Sequence, residues 1–252
     1  MRIAIVTGAS SGMGREFARQ LPFFYHNLDE IWVIARRKEK LAALAEGSTV
    51  PCRIFAGDLC KGDVYQKLER ALKEETPDIR MLVNAAGFGK VGEVKKIAHR
   101  EPASQMKMID LNCRALTRMT VICLPYLRLG SRVVNLASAA AFCPQPSFAV
   151  YAATKSYVLS FSRALGAELK KTGIYVTAVC PGPVDTEFFN VSGRLPNMWK
   201  DAVMAKPDRV VRKALLDVKK KKEKSVYGIV MKAAELGAKL LPHRIIIQSF
   251  LR

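Results

Sequence analysis

The stretch IAIVTGASSGMG, residues 3–14, determines the predicted fold of this 252-residue chain. Residues 3–6 are apolar and mostly β-branched, which predicts a buried strand. A turn that contains Gly8, Gly12 and Gly14 follows directly, and the next segment, REFARQL, has a helical pattern. Glycine lets the backbone approach a ligand closely, and a helix N-terminus offers unpaired N–H groups to a phosphate. The stretch therefore predicts a strand, a turn and a helix start that can hold the pyrophosphate of a dinucleotide.

Six further apolar runs predict strands, and helical segments separate most of them; these runs are residues 31–35, 53–56, 81–84, 132–136, 175–180 and 225–230. Such alternation predicts a single-domain, Rossmann-like α/β fold, a doubly wound parallel sheet of about seven strands with helices on both faces. We expect this domain to cover residues 1–230, with an amphipathic helical extension over residues 231–252. All strand C-termini then lie on one edge of the sheet, where ligands bind in such folds.

The segment YAATK places Tyr151 four residues before Lys155, and Ser138 lies upstream of both. If the segment is helical, the two side chains lie on one face, with the ammonium beneath the phenol. A nearby positive charge favours the phenolate and moves the pKa of a tyrosine, about 10 in a model peptide, toward neutrality. The pair is then suited to proton transfer, and Ser138 could hold a substrate oxygen. A surface helix is the ordinary alternative for a YxxxK match taken alone.

Further motifs accompany the pair: NAAG at residues 84–87, Asn112, and PGPVDT at residues 181–186. With the TGxxxGxG turn they resemble the classical short-chain dehydrogenase/reductase family, over about residues 2–230. The resemblance implies that Tyr151 is the acid–base in hydride transfer between a nicotinamide and a carbonyl carbon. It implies that Ser138 binds the same oxygen, that Lys155 lowers the pKa of Tyr151 and binds the nicotinamide ribose, and that Asn112 anchors a water linking Lys155 to solvent.

The residues after the second predicted strand, VIARRKEK, indicate which dinucleotide binds. A carboxylate there would accept the ribose hydroxyls of NAD, whereas arginine accommodates the additional phosphate of NADP. Arg36 and Arg37 stand at this point, so we expect NADP(H) to be preferred, with NAD(H) as the alternative; a solvated basic helix start is the ordinary reading. The full set of cofactor-binding residues that the resemblance implies is Gly8, Ser10, Ser11, Gly12, Met13, Gly14, Arg36, Arg37, Asp58, Leu59, Asn84, Ala85, Gly87, Tyr151, Lys155, Pro181, Gly182, Val184 and Thr186.

Residues 187–200, EFFNVSGRLPNMWK, occupy the place of the substrate lid in this family and are rich in aromatic residues and methionine. Ordinary packing is the alternative, but an apolar lid favours a lipophilic substrate, such as a steroid or a 3-oxoacyl ketone. The chain is thus expected to be an NADP(H)-dependent oxidoreductase that interconverts a ketone and a secondary alcohol. A non-catalytic dinucleotide sensor or scaffold and a peripheral membrane-surface protein are the alternatives.

Composition limits the remaining partners. The chain carries a formal net charge of +19, with a dense basic run, KKKKEK, at residues 219–224. No recognition helix, zinc-finger spacing or RNP-like pattern accompanies that run, so a solvated turn is favoured over specific nucleic-acid binding, and anionic membrane is the stronger partner. Six scattered cysteines without a CxxC pair and three separated histidines predict reduced thiols, a cytoplasmic location and no metal. The first strand begins at residue 2, so no signal peptide is expected.

The C-terminal segment MKAAELGAKLL, residues 231–241, is amphipathic, and Pro242 ends it. Lys232, Glu235 and Lys239 share one face, and the apolar, basic segment HRIIIQSFLR follows. This extension could rest on acidic lipids in weak peripheral association, or form a flap over the substrate pocket or a subunit interface. We favour the flap or interface. The family resemblance also implies a homo-oligomer, a dimer or tetramer, paired through helices near residues 101–127 and 148–171.

Overall fold

A seven-stranded, entirely parallel sheet forms the centre of the molecule in the computed structural model, which describes residues 1–192 and 204–251. Its spatial order is β3-β2-β1-β4-β5-β6-β7. The strands are β1 (Arg2–Thr7), β2 (Glu30–Ala35), β3 (Cys52–Ala56), β4 (Asp78–Asn84), β5 (Leu127–Leu136), β6 (Tyr175–Val179) and β7 (Lys224–Ser225). The strand order reverses between β1 and β4, and this switch point opens a crevice at the carboxyl edge of the sheet.

Helices cover both faces of the sheet. They are α1 (Gly12–Phe24), α2 (Lys38–Glu46), α3 (Asp63–Glu75), α4 (Val94–Arg100), α5 (Pro102–Ile109), α6 (Leu116–Cys123), α7 (Ala149–Leu169), α8 (Phe188–Ser192), α9 (Pro207–Lys219), α10 (Ile229–Leu240) and α11 (His243–Leu251). A π-helical segment (Asp110–Ala115) joins α5 to α6, so the long helix expected near residues 101–127 is continuous but has a wider turn around Asn112. The doubly wound α/β prediction and the helical C-terminal extension are confirmed.

Two apolar layers hold the sheet between its helices. Alternate residues of β1 illustrate this arrangement, since Ala4 and Val6 belong to one buried cluster while Ile3 and Ile5 belong to the other. All four side chains are fully buried. Because both faces of a parallel sheet are covered, its strands are apolar without alternation, and this explains why the short runs in the sequence could be recognised.

The last strand differs from its prediction. The sequence predicted residues 225–230, whereas β7 contains Lys224–Ser225 alone and α10 begins at Ile229. Gly228, with a φ of +83°, redirects the chain between them. The predicted domain boundary at residues 230 and 231 therefore falls inside α10. That helix ends at Leu240, just before Pro242, as predicted, and the basic run at residues 219–224 turns from α9 into β7.

Across the two described ranges, no helix is both long and apolar enough to cross a membrane. All six cysteines are free thiols.

Candidate active site

One large cleft, of about 1620 Å³, follows the carboxyl edge of the sheet and collects most of the residues singled out from the sequence. The predicted residues that line it are Gly8, Ser10, Ser11, Gly12, Met13, Gly14, Arg36, Arg37, Asp58, Leu59, Ala85, Gly87, Ser138, Tyr151, Lys155, Pro181, Gly182, Val184 and Thr186. Motifs that lie more than 170 residues apart in sequence thus share one wall.

The glycine-rich turn ends at the first turn of α1. Gly8 and Gly12 have φ angles of +69° and +52°, the left-handed region in which glycine is favoured. Ser11 is the N-cap, no side chain caps the helix there, and its first turn contains no acidic residue. The amides of this turn are therefore open to the cleft, next to the positive end of the helix dipole. The residues present fit the pyrophosphate of a dinucleotide.

Several cations follow β2 beside that turn. Arg37 donates hydrogen bonds from Nε and Nη2 to the Ser10 Oγ, at 3.3 and 3.1 Å. Its Nη1 lies 2.7 Å from a carboxylate oxygen of Glu187, and the Lys40 Nζ lies 2.7 Å from the other oxygen. Arg36 is exposed and lines the cleft. Sequence reasoning found the two arginines but not Lys40 or Glu187, because only the fold brings residues 40 and 187 together.

Tyr151, near the start of α7, lies at the centre of an aromatic group. Its ring stacks on Phe148 with centroids 4.2 Å apart and is tilted against Phe188 at 5.5 Å. Burial raises the pKa of Tyr151 to about 12, and hydrogen bonding with the Ser138 hydroxyl opposes that rise. The phenol is therefore protonated at neutral pH.

Lys155 lies one helical turn further along α7 and is only 6% exposed. Its Nζ donates a hydrogen bond of 2.6 Å to the Leu136 carbonyl and lies 5.6 Å from the centroid of the Tyr151 ring. Burial lowers the pKa of Lys155 to about 8. The sequence predicted that Lys155 would lower the pKa of Tyr151, but the shift has the opposite direction. Burial of the phenol is the largest influence on that pKa, and the ammonium is directed to Leu136.

Two predicted asparagines lie behind the wall of the cleft. Asn112 accepts a hydrogen bond from the Phe88 amide and donates to the Phe88 carbonyl and to Thr154. A Cβ on Gly87 would come within 2.9 Å of the Asn112 Oδ1 and 3.5 Å of the Lys155 Nζ, so Asn112 and Lys155 approach the same point. Asn112 therefore holds the loop after β4 over Lys155.

Asn84 is buried and donates hydrogen bonds to Thr120 and Asn135, so it ties β4 to α6 and β5. It was expected among the cofactor-binding residues, yet it lies behind the wall of the cleft, and Thr7 connects the end of β1 to the loop after β4. The Thr7 Oγ1 accepts hydrogen bonds from the amides of Ala85 and Ala86, at 3.0 and 3.1 Å.

The cleft beyond Tyr151 is lined mainly by apolar side chains, several of which belong to the predicted lid and the predicted C-terminal flap. They include Phe88, Val91, Phe148, Phe188, Phe189, Val230, Met231, Leu241, Ile245, Ile246 and Phe250. The last six belong to α10, α11 and the turn between them, so the extension forms part of the wall of the cleft. Amphipathic spacing in residues 231–241 was the sequence signal for this wall. Of the predicted lid, residues 193–200 lie outside the described residues.

Met231 marks where the extension meets the PGPVDT segment. A Cβ on Gly182 would come within 2.5 Å of the Met231 Sδ. Lys224 of β7 forms an ion pair with Glu235 of α10, which fixes the same helix to the edge of the sheet. Within residues 1–192 and 204–251, no group of three His, Cys, Asp or Glu side chains is placed to hold a metal.

The combination of sheet order, glycine turn and buried tyrosine agrees with the family of proteins to which the chain is similar. The family model described as short chain dehydrogenase matches residues 2–194. The chain belongs to the short-chain dehydrogenase/reductase family, whose members are oxidoreductases that act on alcohol or carbonyl groups.

Individual relatives differ in the substrates that their names give. The chain is 34% identical to sulfoacetaldehyde reductase 2 of Chromohalobacter salexigens over 196 residues, 74% of each chain. It is 32% identical to the very-long-chain 3-oxoacyl-CoA reductase of Anas platyrhynchos over 204 residues. The aligned segment covers 75% of this chain and 62% of the relative.

Among solved structures, a short-chain dehydrogenase from Sphingobium yanoikuyae in complex with NADPH superposes with a TM-score of 0.79. The two proteins are 26% identical, and the superposition covers all of this chain and 97% of the solved chain. A nicotinamide dinucleotide is thus the cofactor of this chain.

Proposed function

We propose that the protein reduces a ketone with NADPH, or oxidises the matching secondary alcohol with NADP⁺, and that its substrate is lipophilic. The observation that carries this proposal is the buried Tyr151 phenol, which lies between Phe148 and Phe188 with Ser138 and Lys155 beside it. A protonated phenol in an apolar wall is suited to give a proton to a carbonyl oxygen.

Each residue of this group has one role in the proposed reaction. A nicotinamide bound along the cleft would supply the hydride in reduction or accept it in oxidation. Ser138 donates a hydrogen bond to the carbonyl oxygen and orients it, and Tyr151 gives that oxygen its proton during reduction. Lys155 supplies a positive charge beside the phenol, which stabilises the phenolate left after proton transfer. Asn112 holds the Phe88 backbone over Lys155.

The rate of reduction should fall as the pH rises through about 8. Tyr151, with a pKa of about 12, keeps its proton across the neutral range, whereas Lys155, with a pKa of about 8, loses its charge there. Reductive kcat/KM should therefore be constant from about pH 6 to 7.5 and decline above pH 8. Initial rates in buffers of constant ionic strength measure this profile. A rate that increases between pH 7 and 9 would contradict the assigned protonation states.

The preference for NADP(H) rests on the cations after β2. Arg36 and Arg37 line the cleft where the ribose of the adenosine half is expected, and Arg37 is fixed on Ser10. Guanidinium groups bind phosphate oxygens through charge-assisted hydrogen bonds. NADPH should bind at least about tenfold more tightly than NADH in a fluorescence titration of the apoprotein. Equal or tighter binding of NADH would overturn this preference.

The lipophilic substrate class is inferred from the apolar wall beyond Tyr151, which α10 and α11 extend. Incubation with NADPH and a mixed library of steroid, 3-oxoacyl and small polar ketones, followed by mass spectrometry, tests it. We expect products from the first two groups. Turnover limited to the small polar ketones would exclude a lipophilic substrate. Dinucleotide binding without any product would favour the sensor or scaffold alternative.

For the C-terminal extension we propose a flap, because its side chains line the cleft and Met231 lies against Gly182. Its outer side exposes apolar residues such as Ile229, Leu240 and Leu251, so a homo-oligomer and weak association with anionic membrane are proposed as secondary properties. Light scattering and flotation with phosphatidylserine vesicles measure the two. A protein that is monomeric and does not bind the vesicles would exclude both secondary properties. The six free thiols favour a reducing, cytoplasmic location, which cell fractionation tests.

A further inference from the structure

Glu187 places its carboxylate on two cations near the mouth of the cleft. Its oxygens lie 2.7 Å from the Nη1 of Arg37 and 2.7 Å from the Nζ of Lys40. Hydrogen bonds from Lys40 and Arg37 lower the pKa of Glu187 to about 2, so the carboxylate is ionised throughout the physiological range. A carboxylate of the protein itself therefore occupies the hydrogen-bond donors of Arg37 and Lys40.

The same donors suit a phosphate monoester. Arg37 is held from its other side by the Ser10 hydroxyl of the glycine-rich turn, at 3.1 and 3.3 Å. A guanidinium and an ammonium this close together fit phosphate oxygens as well as carboxylate oxygens. They follow the second strand, where the adenosine ribose lies in dinucleotide-binding folds. A 2′-phosphate and the Glu187 carboxylate thus require the same partners.

The ion pairs are also exchangeable. The side chains of Arg37, Lys40 and Glu187 are 41%, 44% and 44% exposed, so solvent screens their attraction. Replacing one anion by another at such a site costs little.

Glu187 connects this site to the substrate side of the cleft. It directly precedes α8, whose first residue, Phe188, is tilted against the Tyr151 ring with centroids 5.5 Å apart. Thr186, on the other side of Glu187, accepts a hydrogen bond from the Phe188 amide. The carboxylate that binds Arg37 and Lys40 is therefore carried by the residue that directly precedes α8, beside the proposed proton donor.

We propose that Glu187 is an internal competitor for the 2′-phosphate of NADP(H), and that the phosphate displaces it from Arg37 and Lys40 and thereby releases α8. NAD(H), which lacks this phosphate, leaves the ion pairs in place. The inference rests on the proposed preference for NADP(H). In this proposal Glu187 limits how strongly NADP(H) is preferred over NAD(H). It also links cofactor binding to the apolar wall of the cleft beyond Tyr151.

Calorimetric titration with adenosine 2′,5′-bisphosphate and with 5′-AMP tests the competition, because these probes differ only in the 2′-phosphate. The Glu187→Gln variant should bind the bisphosphate about fivefold to tenfold more tightly than the wild type, the range that two exposed ion pairs supply. Its affinity for 5′-AMP should change by less than about twofold.

Glu39→Gln is the matched control. Glu39 lies in α2 between Lys38 and Lys40, is exposed, and forms no ion pair with any described residue. This variant removes the same charge near the site without freeing Arg37, so its affinity for the bisphosphate should change by less than about threefold.

Three outcomes would overturn the competition: an unchanged affinity for the bisphosphate in Glu187→Gln, an equal gain in Glu39→Gln, or weaker binding of 5′-AMP by Glu187→Gln. The last result would show that the carboxylate accepts ribose hydroxyls instead. Failure of the NADP(H) preference is distinguishable, since it appears as wild-type binding of 5′-AMP that equals or exceeds that of the bisphosphate. The competition itself is judged from the ratio of the bisphosphate affinity of Glu187→Gln to that of the wild type.

Hydrogen exchange of residues 186–192 reads the release of α8 directly. The bisphosphate should raise amide exchange in the wild type to the level of ligand-free Glu187→Gln, while 5′-AMP should leave it unchanged. If the amide exchange rates of this segment are the same with both probes, the link between the 2′-phosphate and the apolar wall beyond Tyr151 is overturned.

Discussion

Replacing Tyr151 with phenylalanine should lower kcat/KM for ketone reduction by about 10³-fold, within the range that a positioned general acid contributes. The substitution removes the phenolic oxygen and leaves the ring. The stack on Phe148, with centroids 4.2 Å apart, and the contact with Phe188 can both persist. NADPH affinity and thermal stability should therefore change little, so that the loss is confined to the chemical step. Stopped-flow transfer of hydride to a substrate ketone, with NADPH titration as the second measurement, separates these effects.

Tyr157→Phe is the control for this prediction. Tyr157 lies on the same helix, is 42% exposed, and its hydroxyl is 2.7 Å from that of Thr117. The same chemical change at this position should leave kcat/KM within about twofold, since the hydroxyl is outside the cleft wall. Turnover by Tyr151→Phe at a tenth of the wild-type rate or more would remove Tyr151 from the role of proton donor.

The second large effect is expected from Gly14→Ala. A Cβ at this buried position would lie 2.4 Å from the carbonyl oxygen of Gly8, 2.7 Å from its carbonyl carbon and 3.0 Å from the carbonyl oxygen of Thr7. These are backbone atoms, so the overlap cannot be relieved by a side-chain rotation, and the turn between β1 and α1 must open. We expect a loss of about 2–3 kcal/mol in the free energy of unfolding.

The same opening displaces the amides of the first turn of α1, which we propose as the pyrophosphate site. NADPH affinity should therefore fall by more than about tenfold. Differential scanning calorimetry should show Tm lowered by roughly 5–10 °C for a domain of this size. Gly62→Ala is the control, because a Cβ on Gly62, whose φ is −79°, meets no described atom within 4 Å. A Gly14→Ala variant with wild-type Tm and affinity would contradict the close approach of Gly8 and Gly14.

Local patterns in the sequence predicted the parts of the site that lie at strand ends. Glycine-rich turns, apolar strands and the spacing of Tyr151 and Lys155 are properties of neighbouring residues. The parallel sheet then brings them to one edge without further information. For this reason Gly12, Ser138 and Thr186 line one cleft as expected, although they are spread over most of the chain.

Other parts depend on tertiary packing and could not be predicted in that way. The pair between Lys40 and Glu187 joins residues 147 positions apart, and nothing at either position signals the other. The direction of the Tyr151 pKa shift was wrong because burial depends on Phe148 and Phe188, which close around the phenol only in the folded chain. The short β7 was missed because Gly228 divides an apolar run that otherwise continues.

Transfer of deuterium from NADPH labelled at nicotinamide C4 to a ketone tests the central claim most directly. The protein should produce a secondary alcohol that carries deuterium on the former carbonyl carbon when supplied with the ketone library. Tyr151→Phe should bind the labelled cofactor with unchanged affinity and produce about 10³-fold less of that alcohol. Tight binding of the cofactor with no labelled alcohol from any ketone class, or equal labelling by both proteins, would contradict the account.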